Sequence, residues 1–271
     1  MAELANYLQT LKGRSARVAV REIKSRFVRG PAKAAVRRVM DICEHHNAPF
    51  TFFMTGNCAI VNRSFVSEIL GRGHEISCHG YNHLRYDKVL HSEARRDLTF
   101  AKRLFGDLFG ITLEGFRAPY LGMNEEVANL LKEQGLSYSS SVMGNETFTY
   151  QNGLAEFPIS ACDWHTLIRD NDSPEIFLRE LLDKQRHGTV YELHPWRMGQ
   201  RKYCWVLEKF LKNSESRFIA MSGLSRGEEG IVLSGDLGEL GLLEVAGRVL
   251  LGHMTDYNKT AATLGWESWA T

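Results

Sequence analysis

Apolar and polar positions along this chain alternate between two periods, one of strand length and one helical. Residues 17–22 (RVAVRE) read as a first strand, and residues 2–12 as a short amphipathic helix ahead of it. Pro31 then opens PAKAAVRRVMDICEHH, where Ala35, Val36, Val39, Met40 and Cys43 recur on one helical face. Proline suits a helix start because its missing N–H would have no intrahelical partner there. Residues 50–55 (FTFFMT) form an apolar, aromatic run of strand length. The alternation continues with a helix (SFVSEILGRG), a short strand (HEISCH) and a long helix (SEARRDLTFAKRLFGDLFG). A strand around Gly115 to Arg117 follows, then a helix in NEEVANLLKEQG, which Asn124 can cap. Residues 137–141, 156–159 and 189–193 complete the predicted strands. Strands alternating with helices of this length predict parallel βαβ units. The last stretch, residues 230–271, breaks the rhythm and reads as a turn followed by an amphipathic helix, an appendage packed on the domain of residues 1–229.

A chain of 271 residues suits one α/β barrel, and its 44% hydrophobic and 24% charged residues are those of an ordinary globular protein. With 33 basic and 32 acidic residues, the balance gives no reason to expect nucleic acid or an anionic membrane as partner. The five cysteines are scattered without a CxxC pair, which argues against a disulfide framework or a cysteine zinc site. The first residues show no apolar signal core, and no run of 18 apolar residues predicts a transmembrane segment. The expected location is cytoplasmic, and the oligomeric state is left open.

The sharpest local signal is Ser77-Cys78-His79-Gly80-Tyr81-Asn82-His83. Histidines four apart on a helical turn share a face, so both imidazoles can reach one metal ion. In a chain of ten histidines, such a pair alone is more readily read as ordinary surface or core residues. It stands, however, in an ordered series. Phe52-Phe53 and Gly73-His74-Glu75-Ile76 precede it; Gly115-Phe116-Arg117-Ala118-Pro119-Tyr120, Asp163-Trp164 and Leu193-His194-Pro195 follow. In that order these motifs resemble the NodB-homology domain of the polysaccharide deacetylase family, a carbohydrate esterase type, over roughly residues 17–224.

The resemblance implies an irregular (β/α)7-type barrel and a set of roles. His79 and His83 would hold a divalent metal, zinc by preference, while His74 would be structural. Arg117 would orient an acidic group near the metal, and the Tyr120 backbone N–H would help hold the oxyanion of a tetrahedral intermediate. His194 would protonate the departing amine, with Asp163 keeping it charged. Trp164 and Trp196 would wall the acyl pocket. The implied reaction is hydrolysis of an N-acetyl or N-formyl group on an amino sugar or sugar precursor in cell-surface polysaccharide synthesis. Arg26, Arg29 and Gly30 stand where a phosphate of a nucleotide-linked or lipid-linked precursor could be met.

One motif departs from the pattern. The family's first strand ends in Thr-Phe-Asp-Asp-Gly or Asp-x-Asp, one aspartate a base and the other a metal ligand. Here the strand ends Arg21-Glu22-Ile23-Lys24-Ser25 without an aspartate. In one register Glu22 takes the base position, or shifts to become the third metal ligand, and Lys24 opposes the metal by charge. In the other, Ile23 and Ser25 replace the pair. Two readings stay open: a working hydrolase, or a deacetylase fold that binds carbohydrate without cleaving it.

Overall fold

A strand covered on both faces must be apolar throughout, and the run at residues 50–55 meets that condition: β1 (Phe50–Met54) is buried at every position. The structure is a computed structural model that describes residues 31–170, 173–237, 260–261 and 263–265. Before β1 comes α1 (Pro31–His45), whose Ala35, Val36, Val39, Met40 and Cys43 are all buried, as their spacing predicts. After it come α2 (Gly56–Val61), α3 (Arg63–Gly71), β2 (Glu75–Cys78), α4 (His91–Phe109), β3 (Gly115–Phe116), α5 (Glu125–Glu133) and β4 (Tyr138–Ser139). A hairpin of β5 (Phe148–Thr149) and β6 (Ala155–Glu156) leads to β7 (Ile159–Cys162) and α6 (Pro174–Asp183). The chain continues through β8 (Val190–Glu192), α7 (Pro195–Met198), α8 (Cys204–Asn213), α9 (Met221–Ser225) and β9 (Val232–Asp236). Asn124 caps α5 as expected, its side chain accepting from the Val127 N–H at 2.9 Å. The strand expected over residues 156–159 is instead two, β6 and β7, split at Phe157-Pro158, where proline cannot donate to a ladder.

The sheet runs β5-β6-β4-β3-β2-β1-β9-β8-β7, with only the β5–β6 pair antiparallel. Its ends meet. The segment after β4 bridges β7 through the Ile159 N–H on the Val142 carbonyl (2.8 Å) and the Gly144 N–H on the Ile159 carbonyl (3.0 Å). The strands β4, β3, β2, β1, β9, β8 and β7 thus close a ring, the irregular barrel that the sequence resemblance implies.

Helices pack outside it. Inside, Phe53, Tyr138, Val190 and Val232 form a separate cluster with Ile219, Met221 and Leu224, so α9 plugs the end where the parallel strands begin. The plug is pinned by the Met221 N–H on Thr51 Oγ1 (3.0 Å) and the Ser222 N–H on the Glu75 carboxylate (3.0 Å). The C-terminal ends of the strands form the opposite end, the mouth. Gly115 is required by this lumen, since a Cβ there would lie 1.9 Å from the Tyr138 ring.

One boundary needs correction. Residues 230–237 are no appendage: β9 pairs with β1 on one side and β8 on the other, in the middle of the barrel wall. Its Val-Leu-Ser-Gly-Asp sequence is short and carries polar residues, which hides a strand whose inner face looks onto a polar lumen. The helix expected beyond it falls on residues that lie largely outside those described, as do the first strand at residues 17–22, Glu22, and the Arg26–Gly30 loop.

Candidate active site

The histidine pair sits in the loop after β2, at the barrel mouth. The loop is not the helical turn that the spacing suggested. Gly80 (φ 76°) and His83 (φ 56°) take left-handed backbone and fold the segment back, so the two rings meet with centroids 4.7 Å apart. Gly80 has a second reason to be glycine, because a Cβ would come 2.8 Å from Asp97 Oδ2. Asp97, fully buried on α4, anchors this loop: its carboxylate accepts from the Tyr81 N–H (2.6 Å), the Asn82 N–H (2.9 Å) and the Tyr86 hydroxyl (2.7 Å). Asp97→Ala would strand these donors in a buried site. It is expected to cost about 2–5 kcal/mol in a denaturant titration, since bonds to a charged acceptor are worth more than neutral ones.

His79 Nδ1 lies 2.8 Å from the Arg117 carbonyl. A carbonyl only accepts, so Nδ1 carries the proton and Nε2 is left with its lone pair. That Nε2 stands 3.0 Å from His83 Nε2. Burial, then the neighbouring His83, hold the His79 imidazole well below its usual pKa, and it is neutral. A neutral imidazole whose far nitrogen is fixed by a carbonyl is the arrangement that metal-binding histidines adopt. The pair therefore fits a divalent cation. Among the described residues no third histidine, cysteine or carboxylate joins both nitrogens within 4.8 Å. His74 lies at the other end of β2, where its Nδ1 accepts from the Phe50 N–H at 3.2 Å.

Across the mouth, at the end of β8, His194 Nδ1 is 2.6 Å from Asp163 Oδ1, and the His194 backbone N–H reaches Asp163 Oδ2 at 3.0 Å. One buried carboxylate thus fixes both the ring and the chain that carries it. Burial alone would lower the His194 pKa, but Asp163, with Asp236 and Glu192 behind it, outweighs this and pushes it up to about 9. Trp164 and Trp196 flank the imidazole with ring centroids 5.8 and 5.9 Å away, and the Arg197 guanidinium lies against both indoles. Trp196 is almost wholly enclosed, so it supports His194 more than it faces the mouth.

Arg117 is fully buried inside the barrel. Its Nε donates to the Ser140 carbonyl (2.8 Å), one terminal nitrogen to Ser140 Oγ (2.8 Å) and Ser234 Oγ (3.0 Å), and the other lies 3.6 Å from Glu192. Glu192 is the acidic group that it pairs with, and Glu156 also feels its charge. Tyr120 (φ 59°) and Leu121 (φ 53°) are left-handed, and the exposed Tyr120 ring rests 4.8 Å from that of His83. Such backbone in a non-glycine residue is costly and tends to gather at functional sites.

The structure thus brings His79, His83, Arg117, Tyr120, Asp163, Trp164, His194 and Trp196 to one end of the barrel; Glu22 lies outside the described residues. Asp97, Glu192 and Asp236 lie outside the motifs that mark the other site residues. Asp97 looked like an ordinary helix residue, although a lone aspartate among the apolar positions of α4 was a usable signal. Asp236 was lost to the misplaced domain boundary.

The described residues thus form a parallel barrel with a histidine pair and a His–Asp dyad at one end. Residues 21–139, a little under half of the chain, match the family described as polysaccharide deacetylase. A peptidoglycan-N-acetylglucosamine deacetylase of Bacillus cereus is 27% identical over 205 residues, 74% of this chain and 86% of that protein. The Listeria monocytogenes peptidoglycan-N-acetylglucosamine deacetylase PgdA is 28% identical over 46% of this chain, a match that spans only 26% of PgdA. In fold, a polysaccharide-deacetylase-type structure from Mycobacterium smegmatis superposes with a TM-score of 0.64 at 24% identity, covering 73% of this chain and 77% of that one. A CE4 family pseudoenzyme from Bacillus anthracis does so with 0.51 at 16% identity, over 78% and 61%.

Proposed function

We propose that this protein is a divalent-metal-dependent N-deacylase of amino sugars, acting on N-acetylglucosamine in a glycan or a sugar precursor. The observation that carries the reading is the pairing of His79 and His83, Nε2 to Nε2 at 3.0 Å, on the same barrel mouth as the His194–Asp163 dyad. His79 and His83 would hold the cation, with zinc favoured by two imidazole ligands. Bound there, it would supply Lewis acidity, polarising the acyl carbonyl and lowering the pKa of water toward ~7.

The chain's own residues do the rest. Arg117 fixes the His79 tautomer through its carbonyl, so the ring presents a lone pair. Asp163 grips His194 by Nδ1 and leaves Nε2 as the donor; at neutral pH that imidazole is charged and ready to give its proton to the leaving nitrogen. The Tyr120 N–H, in the left-handed turn beside His83, is the group assigned to the developing oxyanion. Trp164 and Trp196 exclude water around the acid. The relatives' action on peptidoglycan N-acetylglucosamine supports the sugar class.

The reading is tested by acetate release from N-acetylglucosamine oligomers and from small amides, with zinc, cobalt or chelator present. Metal-dependent release from the oligomers is expected. Release from small amides alone would shift the substrate class. Oligomer binding without release would favour the second reading, a carbohydrate binder, for which the first-motif sequence at Glu22–Lys24 is the motivating observation.

A further inference from the structure

The strand β9 occupies the barrel wall between β1, the neighbour of the strand that leads to the histidine loop, and β8, which ends at His194. It bonds to both: Phe50 to Phe53 of β1 oppose Leu233 to Asp236, and Val190 to Glu192 of β8 oppose Val232 to Ser234. Both its edges are used, so no other strand can lie between β1 and β8.

Side chains alternate along a strand, and two residues of β9 fix which face is inside. Val232 belongs to the lumen cluster, and Ser234 Oγ takes the Arg117 guanidinium inside the barrel, whereas Leu233 belongs to the outer core. Asp236 shares the parity of Val232 and Ser234. It therefore faces the lumen one layer nearer the mouth, and it is half-buried. The register with β8 continues through the Leu193 N–H on the Ser234 carbonyl (2.7 Å), which brings His194 alongside Asp236. On the other side Asp236 opposes Phe53, one residue before the Met54 carbonyl that receives the His79 N–H at 3.1 Å. Asp236 thus lies between the histidine pair and the dyad. Gly235 permits the approach, since a Cβ there would meet the Leu193 carbonyl oxygen at 1.9 Å. The sequence carries a matching sign: Ser234-Gly235-Asp236-Leu237-Gly238 keeps one aspartate and the closing glycine of the Thr-Phe-Asp-Asp-Gly pattern that is missing near Glu22.

We propose that Asp236, delivered by the C-terminal strand, is the catalytic carboxylate that takes the proton from the attacking water. The proposal rests on the deacylase reading above. A ligand role fits less well, because no carboxylate joins the His79 and His83 nitrogens within 4.8 Å among the described residues. In the step, the water oxygen bonds to the acyl carbon while its proton passes to Asp236. The C–N bond then breaks as His194 gives its proton to nitrogen. Asp236 returns its proton to His194, and the products ionise to a carboxylate and an ammonium.

The test compares the full chain with Asp236→Asn and Asp236→Glu, each reconstituted with zinc and assayed on N-acetylglucosamine oligomers. Asp236→Asn is expected to lower kcat by about 10²–10⁴, the usual worth of a general base, with KM within about threefold and bound zinc unchanged. Asp236→Glu should recover part of the loss. A second readout needs no turnover: the His194 imidazole, followed by NMR in metal-free protein, should titrate at lower pH in Asp236→Asn. Wild-type kcat in Asp236→Asn, or an unmoved His194 titration, overturns the proposal. A wild-type protein that releases no acetate sinks the deacylase reading and the base role with it; the His194 titration then still reports whether Asp236 faces the site.

Discussion

Replacing His83 with alanine is expected to remove the bound divalent cation and on the order of 10³ of the turnover, while the metal-free protein melts almost where the wild type does. The loss follows from the share of the barrier, several kcal/mol, that Lewis-acid stabilisation carries, at about 1.4 kcal/mol per tenfold. The intact fold follows from position. His83 sits partly exposed on a loop held by Asp97 through the neighbouring Tyr81 and Asn82 amides, so trimming its ring leaves those anchors in place. His79→Ala makes the contrast. It also loses the metal, but it empties a buried site and leaves the Arg117 carbonyl without its partner, at about 2–4 kcal/mol of stability. Elemental analysis beside calorimetry of both variants separates the two effects. A full equivalent of zinc retained by His83→Ala would move the metal site elsewhere.

Much of this geometry was legible before the structure. The helical face of Ala35 to Cys43, the aromatic strand at Phe50–Met54 and the Asn124 cap follow from spacing and local chemistry alone, because each is set by neighbours close in sequence. The ordered motifs placed both histidine groups at strand ends, where a parallel barrel opens. What stayed hidden depends on distant partners. The His79–His83 pair is built by left-handed backbone and a buried aspartate rather than by a helical turn, and periodicity does not report such a loop. The strand at Val232–Asp236 has polar side chains on the lumen face and only five residues, so its pattern is weak; its place beside β1 is settled by pairing across some 180 positions of sequence. Arg117 illustrates the same limit. Its motif marked it, but its partners, Ser140, Ser234 and Glu192, come from three other strands or their ends.

The His194–Asp163 dyad gives the sharpest dependence on pH. In the folded protein His194 titrates at about 9, against an ordinary value of 6.5. Because the folded value is the higher, the stability that the charged imidazole contributes is complete below about pH 6.5 and is lost as pH rises through about 9. Activity should share that upper limit, since only the protonated ring can serve as acid. Asp163→Asn removes the carboxylate held 2.6 Å from Nδ1, and the imidazole pKa should then fall, as burial dictates once its counter-charge is gone. The alkaline limb of the kcat profile should move to lower pH, and kcat at pH 8 should drop by about 10²–10⁴. Stability near neutral pH should drop by on the order of 3 kcal/mol, the equivalent of the lost shift. Salt should change little of this, because the pair is enclosed and poorly screened. The two readouts discriminate between roles. If Asp163 only braced the fold, Asp163→Asn would lower the melting temperature and leave the alkaline limb in place. A limb that moves with the substitution ties the carboxylate to the proton on His194.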